Sequence, residues 1–238
     1  MSFLADRVRS RLSFGEALEN DHMSQLHGQD LICVRGERTV FRALDFTLEA
    51  GGALILIGPN GAGKSSLLRM MAGLLKPYAG RLIWNDEDAL DDMDEHGARL
   101  HYVGHHDAVK PVLSAAENIR FWAELRGGGD DGIAQALATL DIRHLYDVPG
   151  RFLSAGQKRR VNLARIIAAP APLWLLDEPT TALDKATIKR LEGAIGAHRD
   201  GGGMVVLSTH ADVDTPGAKT LDLAKFACSD PLDEEMMV

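Results

Sequence analysis

The run Gly58-Pro59-Asn60-Gly61-Ala62-Gly63-Lys64-Ser65 constrains this chain more than any other stretch. It matches G-x-x-x-x-G-K-[ST], the pattern of a loop that cradles phosphate. Such a loop has meaning only between a buried strand and a helix. Ala53-Leu54-Ile55-Leu56-Ile57 before it reads as that strand, and Ser66-Leu67-Leu68-Arg69-Met70-Met71-Ala72-Gly73 after it reads as that helix. The glycines let successive backbone N–H groups turn inward onto phosphate oxygens, and the helix start adds its partial positive charge. Gly58, Pro59, Asn60, Gly61, Ala62, Gly63, Lys64, Ser65 and Ser66 are therefore the candidate phosphate-binding residues. Lys64 is placed to reach the β- and γ-phosphates of a nucleotide, and the Ser65 hydroxyl to ligate Mg²⁺.

A second constellation adds hydrolytic chemistry. Leu173-Trp174-Leu175-Leu176 is an apolar run ending in Asp177-Glu178. Such a run suits a central strand of a parallel sheet, buried on both faces. Ligands of these sheets sit at the carboxyl ends of the strands, where Asp177 would emerge to hold Mg²⁺ and Glu178 to polarise an attacking water. General-base catalysis of that kind is worth about 10²–10⁴ in rate.

The third segment is Leu153-Ser154-Ala155-Gly156-Gln157. Ser154 is suited to cap a helix running through Lys158, Arg159, Arg160 and Val161. Val161, Leu163, Ala164, Ile167 and Ala168 include the spacings of one helix face.

In this order the three segments resemble the ATP-binding cassette (ABC) ATPases. Leu153, Ser154, Ala155, Gly156 and Gln157 look like that family's LSGGQ signature, with Ala155 in place of the first glycine. Residues 173–178 look like its Walker B strand, and Thr181-Ala182-Leu183-Asp184 like its D-loop. His210, after the apolar run 204–207, looks like its switch histidine. The resemblance spans roughly residues 29–225. It implies an α/β fold of the P-loop NTPase class, with a RecA-like parallel-sheet core, an antiparallel β subdomain and a small helical subdomain over about residues 87–165. It also implies ATP and Mg²⁺ as cofactors, with Ser65 and Asp177 on the metal and Glu178 and His210 in catalysis. In that family two cassettes pair head to tail, so Ser154, Ala155 and Gly156 would act in trans across a homodimer.

Two further positions depart from the family pattern. The family's glutamine loop follows the next strand, where this chain reads Leu100-His101-Tyr102-Val103-Gly104-His105-His106-Asp107. His106 is taken to stand at the glutamine position. Imidazole is a poor Mg²⁺ ligand, because that ion prefers oxygen, and it titrates near neutrality. The family's adenine-stacking aromatic has no counterpart before the P-loop, where the chain reads Val34-Arg35-Gly36-Glu37-Arg38. Arg35 or Phe41 is the candidate on the adenine side, since a guanidinium also stacks on a purine.

Within the family the chain is similar to the ATP-binding export subunits of cytochrome c biogenesis. The residues that carry this are 153–160, 171–184, 34–38 and 102–105. Arg35 is what that group is expected to carry. The likeness implies coupling of ATP turnover to haem delivery or export, or to release of a haem chaperone. It implies integral-membrane permease subunits of a cytochrome c maturation complex as partners, at the cytoplasmic face of the bacterial inner membrane. Two alternatives stay open: a cassette serving a different small-molecule transporter, and a soluble non-transport ABC ATPase of DNA repair or translation.

Composition narrows the partners. A formal net charge of −8 over 238 residues argues against broad nucleic-acid binding. No apolar run approaches the roughly 20 residues that span a bilayer, so a pore would have to come from another chain. Cys33 and Cys228 are the only cysteines, which implies no disulfide framework. Residues 1–28 are expected to be a frayed extension, although Leu4, Val8 and Leu12 at helical spacing among Arg7, Arg9 and Arg11 also suit a membrane-surface helix. Residues 226–238 read as an acidic tail. His96, His101, His105 and His106 lie in one stretch, but no clean zinc pattern with cysteine accompanies them.

Overall fold

The computed structural model describes residues 24–209 and 213–228. Of the extension expected over residues 1–28, residues 1–23 lie outside the described residues, as do His210 and the acidic end from residue 229; residues 25–28 do not fray but open the first strand, held by pairing to its neighbours. In chain order the strands are β1 (Gln25–Arg35), β2 (Arg38–Glu49), β3 (Ala53–Ile57), β4 (Ala79–Trp84), β5 (Glu87–Asp88), β6 (Leu100–Val103), β7 (Leu173–Asp177), β8 (Met204–Ser208) and β9 (Lys219–Asp222). The helices are α1 (Lys64–Met71), α2 (Met93–Ala98), α3 (Ala115–Glu124), α4 (Asp130–Thr139), α5 (Ala155–Ala168) and α6 (Lys185–Asp200).

The strands form two sheets. One is antiparallel and four-stranded, in the order β2-β1-β4-β5. The other is parallel and five-stranded, in the order β6-β7-β8-β3-β9. Every residue of β7 and β8 is buried, as a strand covered on both faces requires. Their side chains alternate between two separate cores. Leu173, Leu175, Met204, Val206, Leu54 and Leu56 pack with α1 and with the apolar face of β1 and β2. Trp174, Leu176, Val205 and Leu207 pack with residues of α3, α4, α5 and α6. The parallel sheet is thus the wall between a β-rich half and a helical half.

Helix starts are written in the sequence. Ser114 and Glu117 form a capping box at α3, and Ser154 and Gln157 form another at α5. Asp184 caps α6 by accepting from the Thr187 N–H, which holds its carboxyl below the ordinary value. The interval 87–165 holds α2, α3, α4 and most of α5, but also β5 and β6, and β6 is an edge strand of the parallel sheet. At the other end, Phe226 and Ala227 do not trail away. The Arg42 N–H donates to the Phe226 carbonyl at 3.0 Å, and Ala227 bridges to Phe41.

The histidines of the 96–106 stretch do not converge. His96 is buried and donates from Nε2 to the Met71 carbonyl at 2.7 Å. His101 is buried and donates from Nε2 to the Ala169 carbonyl at 2.9 Å. Among the described residues no group of three or more His, Cys, Asp or Glu side chains is placed to hold a metal ion. His198, on α6, stacks on Trp174 with ring centroids 4.0 Å apart.

Burial pushes His101 down to about 3, helped by the positive charge of Arg126, and pushes His198 down to about 4. Both are therefore neutral in the fold wherever the unfolded chain, titrating at the ordinary 6.5, is already taking up protons. The unfolded state binds more protons below that pH, so these two groups remove stability as pH falls from 6.5 towards 4, and remove none above it. The urea midpoint should fall between about pH 7.5 and about pH 5, and the fall should be shallower in a His101→Gln, His198→Gln double variant. Equal slopes in the two proteins would count against the assignment.

Candidate active site

β3 ends at Ile57 and the chain turns through the glycine-rich loop into α1. Gly63, the residue before α1, has φ 99°, and a β carbon there would lie 2.7 Å from Val40 Cγ1. Only glycine fits both demands. No side chain caps α1, in contrast to α3, α5 and α6. Its first N–H groups are thus left for an anion. The Lys64 ammonium donates to the carbonyls of Gly58 at 2.7 Å and Pro59 at 3.3 Å, which holds it over the loop.

β7 lies beside β8, and β8 beside β3, all parallel. This pairing brings the end of β7 to the loop. Asp177 is only 2 % exposed, and its Oδ1 accepts from the hydroxyls of Ser65 at 3.1 Å and Ser208 at 2.7 Å. Those two bonds give the buried carboxylate partners from two different segments. Glu178 follows in the left-handed region at φ 48°, a conformation that costs on the order of 1–3 kcal/mol for a non-glycine residue. Its N–H donates to the Ser208 carbonyl at 3.1 Å and also approaches the Ser208 hydroxyl at 3.2 Å.

These groups line an open cleft of about 600 Å³. Asn60, Gly61, Gly63, Lys64, Ser65 and Ser66 form one wall, and Asp177, Glu178 and Thr181 another. Arg35 of β1 and Val40 of β2 also line the cleft. The dimensions, a helix start without a side-chain cap, an ammonium and a buried carboxylate with hydroxyl partners suit a nucleotide and its counter-ion.

Two sequence expectations need correction. Phe41 does not reach the cleft. It is fully buried in the β-rich core, because alternation along β2 turns residue 41 inward and residue 40 towards the cleft. Of the two adenine-side candidates, only Arg35 lines the space. His106 does not line the cleft either; His105, one residue earlier, does. Asp107 is drawn inward by Arg159 and Asn162, each at 3.2 Å, and His106 is exposed beside it with its ring edge-on to that of His105.

The signature segment lies outside this cleft. Leu153 is buried as an anchor, while Ser154 and Ala155 are exposed at the start of α5. Gly156 packs on the D-loop, where a β carbon would meet the Ala182 carbonyl oxygen at 2.7 Å. Arg160 pairs with Asp184 at 2.6 Å. Arg159 is a residue that sequence reasoning passed over. Its guanidinium is buried and donates to the carbonyls of Gly104, Asp177, Glu178 and Pro179. A signal for it existed: Arg159 lies four residues before Leu163 and seven before Ile166, on the buried face of the predicted helix.

The family description "ABC transporter" matches residues 41–181. A cytochrome c biogenesis ATP-binding export protein CcmA of Paramagnetospirillum magneticum is 59 % identical over 213 residues, which cover 88 % of this chain and 98 % of that one. The protein of the same description from Rhodospirillum rubrum is 60 % identical over 200 residues, covering 84 % and 86 %. Among solved structures, an ABC transporter ATP-binding protein from Pyrococcus furiosus superposes with a TM-score of 0.74 at 25 % identity, covering 86 % of this chain and all of that one. A dimeric ATP-binding cassette in a post-hydrolysis state with ADP and Pi superposes at 0.70 and 24 % identity, over 78 % and 88 % of the two chains, which bears on the fold alone. The family match and relatives of this identity over nearly their whole length leave one conclusion: the chain belongs to the ABC transporter family and is one of its ATP-binding, ATP-hydrolysing cassettes.

Proposed function

We propose that this chain is the ATPase subunit of a transport complex in c-type cytochrome biogenesis, where ATP turnover drives haem delivery or export, or release of a haem chaperone. The names of its relatives support that role. The catalytic part is carried by one observation, the 3.1 Å hydrogen bond that joins Ser65 of the phosphate loop to Asp177 at the end of β7.

Each residue then has a task. The N–H groups of residues 60–66 receive the phosphates, and Lys64 swings from its loop carbonyls to the β- and γ-phosphates. Arg35 stacks on the adenine. Ser65 and Asp177 hold Mg²⁺; both present oxygen, the donor that this ion prefers, and Asp177 is a carboxylate already bonded to Ser65. Bound Mg²⁺ supplies positive charge against the phosphate oxygens. Glu178 accepts a proton from the attacking water, and His210 contacts the γ-phosphate. Ser154, Ala155 and Gly156 complete the site of a second copy; their position outside this protomer's own cleft supports that reading. His105 rather than His106 takes the place of the glutamine.

The partner is an integral-membrane permease of a cytochrome c maturation complex, which this chain meets peripherally at the cytoplasmic face of the inner membrane. Among the described residues no helix is long and apolar enough to cross a membrane, so the assignment requires that partner chain. Purification from detergent-solubilised membranes followed by mass spectrometry should recover membrane subunits that handle haem. Recovery of an unrelated permease would discard the haem role and leave the ATPase intact.

Glu178→Gln should keep ATP affinity, lower turnover by about 10²–10⁴ and accumulate an ATP-bound dimer on size exclusion. Wild-type turnover in that variant would remove Glu178 as the base. Ser208→Ala should lower stability by about 1.5–3 kcal/mol in urea unfolding, because Asp177 loses a bond to a charged acceptor. An unchanged midpoint would mean that Ser208 does not brace Asp177.

A further inference from the structure

Arg159 holds together three segments that the catalytic proposal needs: α5, the residues that follow β7 and the loop after β6. It is the fifth residue of α5, and its side chain is 3 % exposed. From one guanidinium, Nη2 donates to the Asp177 carbonyl at 2.8 Å and the Glu178 carbonyl at 2.6 Å. Nε donates to the Pro179 carbonyl at 3.3 Å. Nη1 donates to the Gly104 carbonyl at 2.9 Å and to Asp107 Oδ1 at 3.2 Å. Four of these five acceptors are main-chain oxygens, so the guanidinium fixes backbone, whatever side chains the loops carry.

The backbone it fixes is the strained part. A non-glycine residue stays in the left-handed region only where its surroundings over-determine it. Glu178 is gripped from both sides: its N–H by Ser208 at the end of β8, and its carbonyl by Arg159 from α5. The carbonyls before and after it bond to the same guanidinium. On the opposite side of Arg159, Gly104 and Asp107 bracket His105, which lines the cleft. The helix that begins with the signature residues therefore carries on its buried face a single group attached to the backbone of both Glu178 and the His105 loop.

We infer that Arg159 is a positioning residue for hydrolysis, setting the direction of Glu178 and moving it together with His105 whenever the start of α5 shifts against the sheet. The inference rests on the reading of Glu178 as the base. Arginine is needed for the task because its planar fork serves several acceptors at fixed angles, whereas lysine offers a point charge on a flexible stem. A misplacement of about 1 Å at a reacting group can cost about a hundredfold in rate while leaving ground-state binding alone. A purely structural Arg159 would instead lower stability and take affinity and turnover down together.

The test uses the full chain as wild type, R159K, R159Q, E178Q and R159K/E178Q. The readouts are steady-state kcat, equilibrium affinity for a fluorescent ATP analogue and the thermal midpoint. In R159K and R159Q kcat should fall by about tenfold to a hundredfold, with affinity held within about threefold. R159K placed on E178Q should add less than about a twofold loss, because the base it positions is already gone. An unimpaired R159K beside a slow E178Q overturns the inference alone. Losses that multiply in the double variant, or affinity falling in step with kcat, also overturn it. If one Arg159 variant does not fold the other decides, and failure of both shows a structural role and overturns it. An E178Q enzyme as fast as wild type overturns the reading of Glu178 and this inference with it.

Discussion

The parallel register of β3, β8 and β7 is the constraint on which the rest of the structure depends. Ala53 pairs with Val205, Trp174 also pairs with Val205, and Asp177 falls beside Ser208. Because the strands run the same way, the phosphate loop, Asp177 and Ser208 all emerge at one edge. Register here is strongly specified. A slip of one residue would turn Leu173 and Leu175 into the helical core and Trp174 and Leu176 into the β-rich one. The chemistry is therefore located by hydrophobic alternation in strands only five residues long.

Polar bonds then do at the sheet edge what packing cannot. Asp177 is a buried carboxylate, and a buried charge is tolerated only with partners. Ser65 and Ser208 supply them from the loop and from β8. Glu178 carries backbone strain, which the bonds from β8 and α5 restrain. The same edge joins the two cores, since Arg159 is rooted in the helical half and its acceptors lie at the ends of β6 and β7.

Much of this was legible in the sequence, and the reasons are local. The phosphate loop, the all-apolar strand before Asp177 and the Ser154 cap each depend on residues adjacent in the chain. Their signals are therefore written in short runs. What was missed depends on distances that no run encodes. Phe41 and Val40 differ only in which face of β2 they occupy, and a candidate aromatic near a site carries no mark of that. His105 and His106 are chemically identical; the choice between them follows from Asp107 being drawn inward by residues more than fifty positions away. Arg159 stood in a row of three basic residues, 158–160, that are alike in chemistry. Only the helical period sets the middle one apart. The cassette boundary was blurred for the opposite reason: polar residues such as Gln25 and His27 lie in β1, where pairing to β2 and β4 holds the strand regardless of propensity.

The two small residues at the start of α5 have opposite obligations. Ala155 is exposed, so its methyl group faces outward at no internal cost. Gly156 has no such latitude, because the Ala182 carbonyl occupies the place where its β carbon would go. The segment between Glu178 and α6 is thus seated directly on the first turn of α5, with Arg160 and Asp184 closing the seat from the side. One glycine of the motif serves the interior of its own subunit, while the neighbouring position is left to the outside. An alanine in place of the first glycine therefore adds its methyl group at an exposed position, away from the contact between Gly156 and Ala182.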